Sequence, residues 1–333
     1  MEHYLDNAAT TAVLPRARAA AIAAMEEFGN PGSLHAKGTA ARKVLDDSRK
    51  TLAAALGCKP ACLTFTSGGS ESTNTALRGA VQKNRHLGKH IVSTQIEHDA
   101  TLNTLKALQN QGFEVTLVAP EMDGSVSAEA IRAALRPDTA VVSLMAVCNE
   151  TGAILPLREA KQAMRDICPK ALLHVDAVQA FCKIELPMDI IDLMSLSAHK
   201  LGGPRGVGCL VVRYPNTIAP LLHGGGQELG NRSGTENLPG IVGMAAAMED
   251  ACANMDANNT KVIALREKLI EGLSQIPHCA LNGDRENRLP GNVSFCFEGI
   301  EGESLLLYLD AMGVCASSGS ACTSGRTSPN LSN

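Results

Sequence analysis

Lys200 stands in "SLSAHKLGGPRGVG" (195–208), between a histidine and a glycine-rich turn, just after an apolar run that ends in small hydroxyl residues. A lysine in an ordinary loop is a solvated charge, but one placed at the end of a strand can also form a Schiff base with an aldehyde. Three other stretches place chemistry-bearing side chains in comparable positions. "FTSGGSESTN" (65–74) follows an apolar run and opens a helix with small residues and hydroxyls. Backbone amides at such a helix start favour a phosphate, although a glycine turn before a helix is more often only a turn. "IEHDAT" (96–101) sets His98 after the next strand-like run, where a structural histidine is an equally good reading. "HVDAVQA" (174–180) puts Asp176 at the end of an apolar run, with Gln179 three residues on. A carboxylate there must cap the next helix, meet a cation or be exposed.

The elements that must position these residues read as strands over 62–66, 90–94, 113–119, 139–147, 171–177, 192–198 and 207–213. Helix-like pieces at 70–86, 99–111, 127–135 and 157–167 lie between several of them. Such alternation predicts a three-layer αβα fold with a mostly parallel sheet covered on both faces. Ligands in such folds sit outside the carboxyl ends of the strands, which is where the four stretches fall. Helices are expected at 15–28 and 38–56, and one long helical pattern runs over 238–275. "NVSFCF" (292–297), a helix at 302–312 and "GVCASSGSACTSG" suggest a second, smaller α+β domain. We expect a large domain over 15–250 and a small one over 251–333 together with 1–14.

One ligand uses the whole set. Pyridoxal 5'-phosphate (PLP) needs a lysine for its aldehyde, a carboxylate for its pyridinium nitrogen and donors for its phosphate.

Composition narrows the alternatives. With 333 residues, 45% hydrophobic and 19% charged, the chain is globular and long enough for a sizeable core. A net charge of −4 and a pI near 6.1 give no electrostatic reason to expect nucleic acid or an anionic membrane as partner. Aromatic content is 3% with no tryptophan, so base-stacking platforms are not expected either. The start "MEHYLDNAATT" has neither a basic nor an apolar signal region, and the expected location is cytoplasmic. Eleven cysteines are scattered without a C-x-x-C, which argues against a disulfide framework or a four-cysteine zinc site. Most are expected to be reduced and to pack as small hydrophobes.

The chain resembles the NifS/IscS-like cysteine desulfurases of the class V aminotransferase family, which are fold type I PLP enzymes. The resemblance is carried by "YLDNAATT", "FGNPGSLH", "TSGGSESTN", "EHDA", "NETG", "HVDAVQ", "SLSAHKLGGPRGVG", "HGGGQE", "RSGTEN" and "SSGSACTSG", from residue 4 to 325. By position it implies that Lys200 carries the cofactor and Asp176 pairs with its ring nitrogen. It implies that His98 stacks on the ring and takes part in proton transfer. Gln179 would contact the phenolic oxygen, with Asn149 near that oxygen and the substrate. Gly69, Ser70, Ser197 and His199 would hold the phosphate, and Thr235 would reach the phosphate of a neighbouring subunit in a homodimer. Cys322 would be the nucleophile that receives sulfur from L-cysteine as a persulfide and passes it to an iron–sulfur scaffold or other acceptor protein. No firm metal site is implied beyond a transient iron–sulfur contact at Cys322. Its serine- and glycine-rich surroundings suit an exposed loop, whereas Cys315 follows an apolar helix and reads as packing.

Two departures from the family pattern stand out. Cys148 occupies the place of a first asparagine before Asn149, and the chain ends shortly after Cys322. The family's "RFS"-like stretch, whose arginine binds the substrate carboxylate, has no counterpart here, and Arg326 does not lie in that motif. The small domain is thus expected to be truncated and substrate binding weakened. A weakly active or non-catalytic partner-binding paralogue, a selenocysteine lyase and a cysteine sulfinate desulfinase stay open beside the desulfurase.

Overall fold

The computed structural model describes residues 2–319. The chain begins with β1 (His3–Tyr4), α1 (Pro15–Met25), α2 (Ala36–Ala55), β2 (Leu63–Thr66) and α3 (Gly69–Lys83). It continues through β3 (His90–Thr94), α4 (Asp99–Gln109), β4 (Glu114–Val118), α5 (Ala128–Ala134), β5 (Thr139–Met145) and α6 (Leu157–Ile167). Next come β6 (Leu172–Asp176), β7 (Leu193–Ser197), a 3-10 turn at Ala198–Lys200, and β8 (Gly208–Val212). The last elements are α7 (Leu238–Ala253), α8 (Met255–Leu273), β9 (Cys279–Leu281), β10 (Phe295–Phe297), α9 (Gly302–Ala311) and β11 (Val314–Cys315).

Seven strands form the central sheet in the order β2-β8-β7-β6-β5-β3-β4. Neighbours from β7 through β4 are parallel, and β8 runs antiparallel to both β2 and β7. Every residue of β2, β3, β5, β6, β7 and β8 is buried. That is why these segments, β2 (Leu63–Thr66) excepted, carry apolar residues on both faces rather than on alternate positions alone. Successive side chains feed opposite faces. Val92, Val142, Leu144, Val175, Met194 and Cys209 join a core with Leu45 and Leu52 of α2, Met164 of α6 and Met244 of α7. Ile91, Val141, Leu193 and Leu210 join a second core with Leu77 and Val81 of α3 and Leu105 and Leu108 of α4. Each fully buried large side chain contributes about 1.5–3 kcal/mol relative to exposure. The expected three-layer αβα arrangement follows from these two faces.

A polar row crosses the face covered by α3. Ser143 Oγ lies 2.9 Å from His174 Nδ1, and His174 Nε2 lies 2.8 Å from Ser195 Oγ. The Thr73 hydroxyl of α3 donates to Ser195 Oγ at 3.1 Å. Burial pushes the His174 pKa down to about 3, so the imidazole is neutral and offers one donor and one acceptor. The row satisfies otherwise costly buried groups and ties β5, β6 and β7 to α3. Alternation then places Asp176 and Ser197, each two residues further along its strand, on the same α3 face.

The long helical pattern over 238–275 is two helices rather than one. The break falls at Asn254 (φ −106°, ψ 8°), whose backbone N–H and side-chain Nδ2 both donate to the Asp250 carbonyl, at 3.1 and 2.9 Å. A side-chain amide that satisfies the helix end in this way competes with continuation of the backbone ladder. Two small sheets stand outside the central one: β1 pairs parallel with β11, and β9 pairs antiparallel with β10.

Candidate active site

The carboxyl ends of β6 and β7 and the start of α3 meet at one place. Gly208 of β8 allows this approach, because a Cβ there would lie 2.6 Å from the Leu196 carbonyl oxygen and 2.7 Å from Gly68 Cα. Gly69, the first residue of α3, packs on the neighbouring turn: a Cβ on it would lie 2.9 Å from Val178 Cγ2 and 3.6 Å from Ser197 Cβ. Gly69, Ser70 and Ser197 therefore sit beside one another. The first-turn amides of α3 have no intrahelical acceptor, which makes this corner a natural place for an anion.

Asp176 ends β6 and is 8% exposed. One carboxylate oxygen accepts from the Val178 N–H at 3.0 Å. Burial raises its pKa, while the backbone hydrogen bond and the charge of Lys200 pull it back down. Asp176 lies opposite Met145 of β5, whose N–H donates to Glu97, the neighbour of His98, and Lys200 follows the adjacent strand β7, so the three fall at one end of the sheet.

Lys200 closes the 3-10 turn that follows β7. Its ammonium donates to the Ala8 carbonyl and, at 2.8 Å, to the Ala9 carbonyl. The N-terminal segment is fixed beside it, since the N–H and hydroxyl of Thr11 donate to the His199 carbonyl at 3.0 and 2.7 Å. His199 Nδ1 lies 3.1 Å from the Thr10 hydroxyl. Burial, with repulsion from Lys200, Arg205 and Lys183, pushes the His199 pKa down to about 4, so its ring is neutral near pH 7.

His98 caps α4, its Nδ1 accepting from the Ala100 N–H at 3.0 Å. That bond assigns the neutral ring's proton to Nε2. Gln179 is 7% exposed and donates through Nε2 to the Ala8 carbonyl at 2.9 Å. Lys183 Nζ donates to Gln179 Oε1 at 3.3 Å. Because an ammonium can only donate, this contact orients the Gln179 amide with its N–H groups away from Lys183.

The remaining expected residues are placed differently. Asn149 lies in the turn between Cys148 and Gly152, where the Gly152 N–H donates to the Cys148 carbonyl at 2.9 Å. Thr235 lines a cavity of about 130 Å³ with Thr66, Ser67, Gly206 and Arg232, next to the turn that opens α3. Cys322 lies outside the described residues. Cys315 is half-buried in β11, and partial burial with the nearby Glu2, Asp310 and Asp6 carboxylates raises its thiol pKa. That direction disfavours the thiolate.

Two groups at the site, buried Glu97 and half-buried Lys183, were not singled out from the sequence. Glu97 accepts from the Met145 N–H at 2.8 Å and the Thr94 hydroxyl at 3.1 Å, while its Oε2 has no partner. Burial, aided by the charge of Asp176, pushes its pKa up to about 8, so it is mostly protonated near neutrality. Burial and the charge of Lys200 push Lys183 down to about 8. Its spacing from Gln179, four residues on, was the available signal.

A family model, "Aminotransferase class-V", matches residues 3–330. The chain is 45% identical to "Cysteine desulfurase IscS" of Methanosarcina thermophila over 331 residues, which is 98% of this chain and 81% of that protein. Among solved structures it superposes on a "NIFS-LIKE PROTEIN" with a TM-score of 0.92 at 38% identity, covering 95% of this chain and 87% of that one. It also superposes on "SspA in complex with cysteine" with a TM-score of 0.84 at 32% identity, covering 97% and 91%. With its strand-end lysine, buried aspartate and glycine-opened helix matched along nearly its whole length, the chain belongs to the class V aminotransferase family, among its IscS/NifS-like cysteine desulfurases.

Proposed function

We propose that this protein is an L-cysteine desulfurase: it removes sulfur from L-cysteine, releases L-alanine and holds the sulfur as a persulfide on Cys322. The observation that carries this reading is the placement of Lys200, Asp176 and His98 at the carboxyl end of the central sheet, beside the opening of α3. The donor set fits PLP. Lys200 would hold it covalently, Asp176 would face its ring nitrogen and His98 its ring, with Gln179 and Asn149 toward the phenolic oxygen. Gly69, Ser70, Ser197 and His199 would hold its phosphate. By the family resemblance, a second copy of the chain in a homodimer would add its Thr235 to the phosphate site. When bound, PLP supplies an electron sink for the pair left on the substrate Cα.

The chain's own residues do the rest. Asp176 is buried, so its carboxylate favours a protonated partner. Lys200 Nζ, once neutral, accepts the proton from the substrate Cα, and the Ala8 and Ala9 carbonyls keep that nitrogen at the strand end. His98 offers its Nε2–H for proton transfer, its other nitrogen being occupied by the Ala100 amide. The Cys322 thiolate attacks the substrate sulfur, the Cβ–S bond breaks, Cβ takes the electron pair and then a proton, and Cα takes back the proton held on Lys200. L-cysteine and one enzyme thiol thus become L-alanine and one enzyme persulfide. An acceptor protein, such as an iron–sulfur scaffold, would then take the sulfur.

The test is an absorbance spectrum followed by an assay of alanine and sulfide with L-cysteine and a reducing thiol. A yellow protein that releases the two products in equal amounts supports the reading. A yellow protein that forms no alanine from L-cysteine overturns it.

A further inference from the structure

Among the described cysteines, one pair is close enough for chemistry. Cys182 Sγ and Cys252 Sγ are 2.8 Å apart, and both residues are half-buried rather than sealed in the core. A disulfide brings its sulfurs to about 2.05 Å, so only a small closing movement separates this contact from a bond. The two residues come from different elements. Cys182 lies in the turn after β6, between Gln179 and Lys183, and Cys252 lies in the last turn of α7.

The local backbone holds the sulfurs together. Cys182 has φ 58°, the left-handed conformation that glycine adopts easily and a cysteine rarely does. The Lys183 N–H donates to the Ala180 carbonyl at 3.0 Å, which closes the turn. Asn259 of α8 then donates through Nδ2 to the Lys183 carbonyl at 2.8 Å, fixing the turn against the α7–α8 junction. The pair is chemically asymmetric. Hydrogen bonding from the Cys182 thiol lowers the Cys252 pKa, whereas that bond, with burial, raises Cys182. Cys252 is therefore the one poised to attack.

We propose that Cys182 and Cys252 are a reversible oxidation site whose disulfide pins the turn bearing Gln179 and Lys183 to the end of α7. The oxidant is a small-molecule disulfide of the glutathione type. The Cys252 thiolate attacks one of its sulfurs and expels a glutathione thiolate, leaving a mixed disulfide. The Cys182 thiolate then attacks Cys252 Sγ and expels the second glutathione. The protein gives up two protons and two electrons, and one glutathione disulfide becomes two thiols. The cross-link joins positions 70 residues apart and involves neither Lys200 nor Cys322.

The experiment uses the full-length, cofactor-loaded protein, equilibrated with excess oxidised glutathione and then alkylated, digested and read by mass spectrometry. The expected result is joint loss of alkylation at Cys182 and Cys252, with a linked peptide two hydrogens lighter than its reduced parts and cleaved by dithiothreitol. Cys182→Gly suits the left-handed backbone and should fold; in it Cys252 should stop at the mixed disulfide with glutathione. In Cys252→Ser no linked peptide containing Cys182 should form. The proposal is overturned if both cysteines stay fully alkylatable in the wild type, if each carries only its own glutathione, or if either is found linked to a different cysteine.

Discussion

The strands that carry Asp176 and Lys200 and the elements that follow α7 bury themselves to very different degrees. All residues of β6 and β7 are buried, and both faces of those strands are covered by helices. By contrast, α8 buries only Arg266 and Ile270, and α9 buries nothing. A side chain at the end of a strand packed on both sides is held in place by its neighbours, which suits groups that must keep fixed positions on a cofactor. An element with few buried contacts opens at lower cost. The proposed division of labour follows this contrast, with the cofactor-holding and proton-moving groups on the sheet and the sulfur-carrying thiol beyond α9 in the chain.

The contrast can be broken from its strongest side first. Lys200→Ala should abolish covalent cofactor attachment and lower desulfurase turnover by on the order of 10²–10⁴-fold or more, read as alanine release. Turnover within a few-fold of wild type would remove Lys200 from its role. A comparable substitution at each end of the molecule sharpens the same point in stability. Leu173 of β6 is 0% exposed and Leu307 of α9 is 73% exposed. Leu173→Ala should cost about 2–5 kcal/mol in denaturant unfolding, whereas Leu307→Ala should stay within about 0.5 kcal/mol. Equal costs would mean that the α9 face is covered in solution.

A smaller and pH-dependent effect is expected at Glu97. Its folded pKa lies above the unfolded value, so the folded state binds more protons between about pH 4.5 and pH 8. Its contribution therefore falls as pH rises through that window and levels off above it. Glu97→Gln keeps the acceptor for Met145 and removes the titration. The variant should gain stability relative to wild type from pH 5 to pH 8, measured as the difference in unfolding midpoints. A difference that does not change with pH would show that Glu97 is ionised in the fold.

The central sheet was legible in the sequence because strands buried on both faces are dominated by apolar residues, and turn residues bound each run. Asp176, His98 and Lys200 stood out for the same reason, as polar groups at the ends of such runs. What surrounds them was less legible. Ala8 and Ala9 reach Lys200 through backbone carbonyls, which any residue supplies, across 192 and 191 positions of chain. The break at Asn254 depends on one side-chain amide inside an otherwise continuous helical pattern. Glu97, beside His98, reads as a solvated acid until Met145 and Thr94 enclose it. The approach of Cys182 to Cys252 depends on a turn whose left-handed residue is not a glycine, so no local signal marks it.

Lys183 provides the sharpest control on the identity of the cofactor lysine. It is a second amine at the same site, held by Gln179, with burial and the Lys200 charge pushing its pKa down to about 8. A depressed pKa is itself a qualification for Schiff-base chemistry, so the two amines differ chiefly in position. Borohydride reduction of the yellow protein, followed by digestion and peptide mapping, distinguishes them directly. The pyridoxyl group is expected on Lys200, at the end of β7; its recovery on Lys183 would contradict the proposed site.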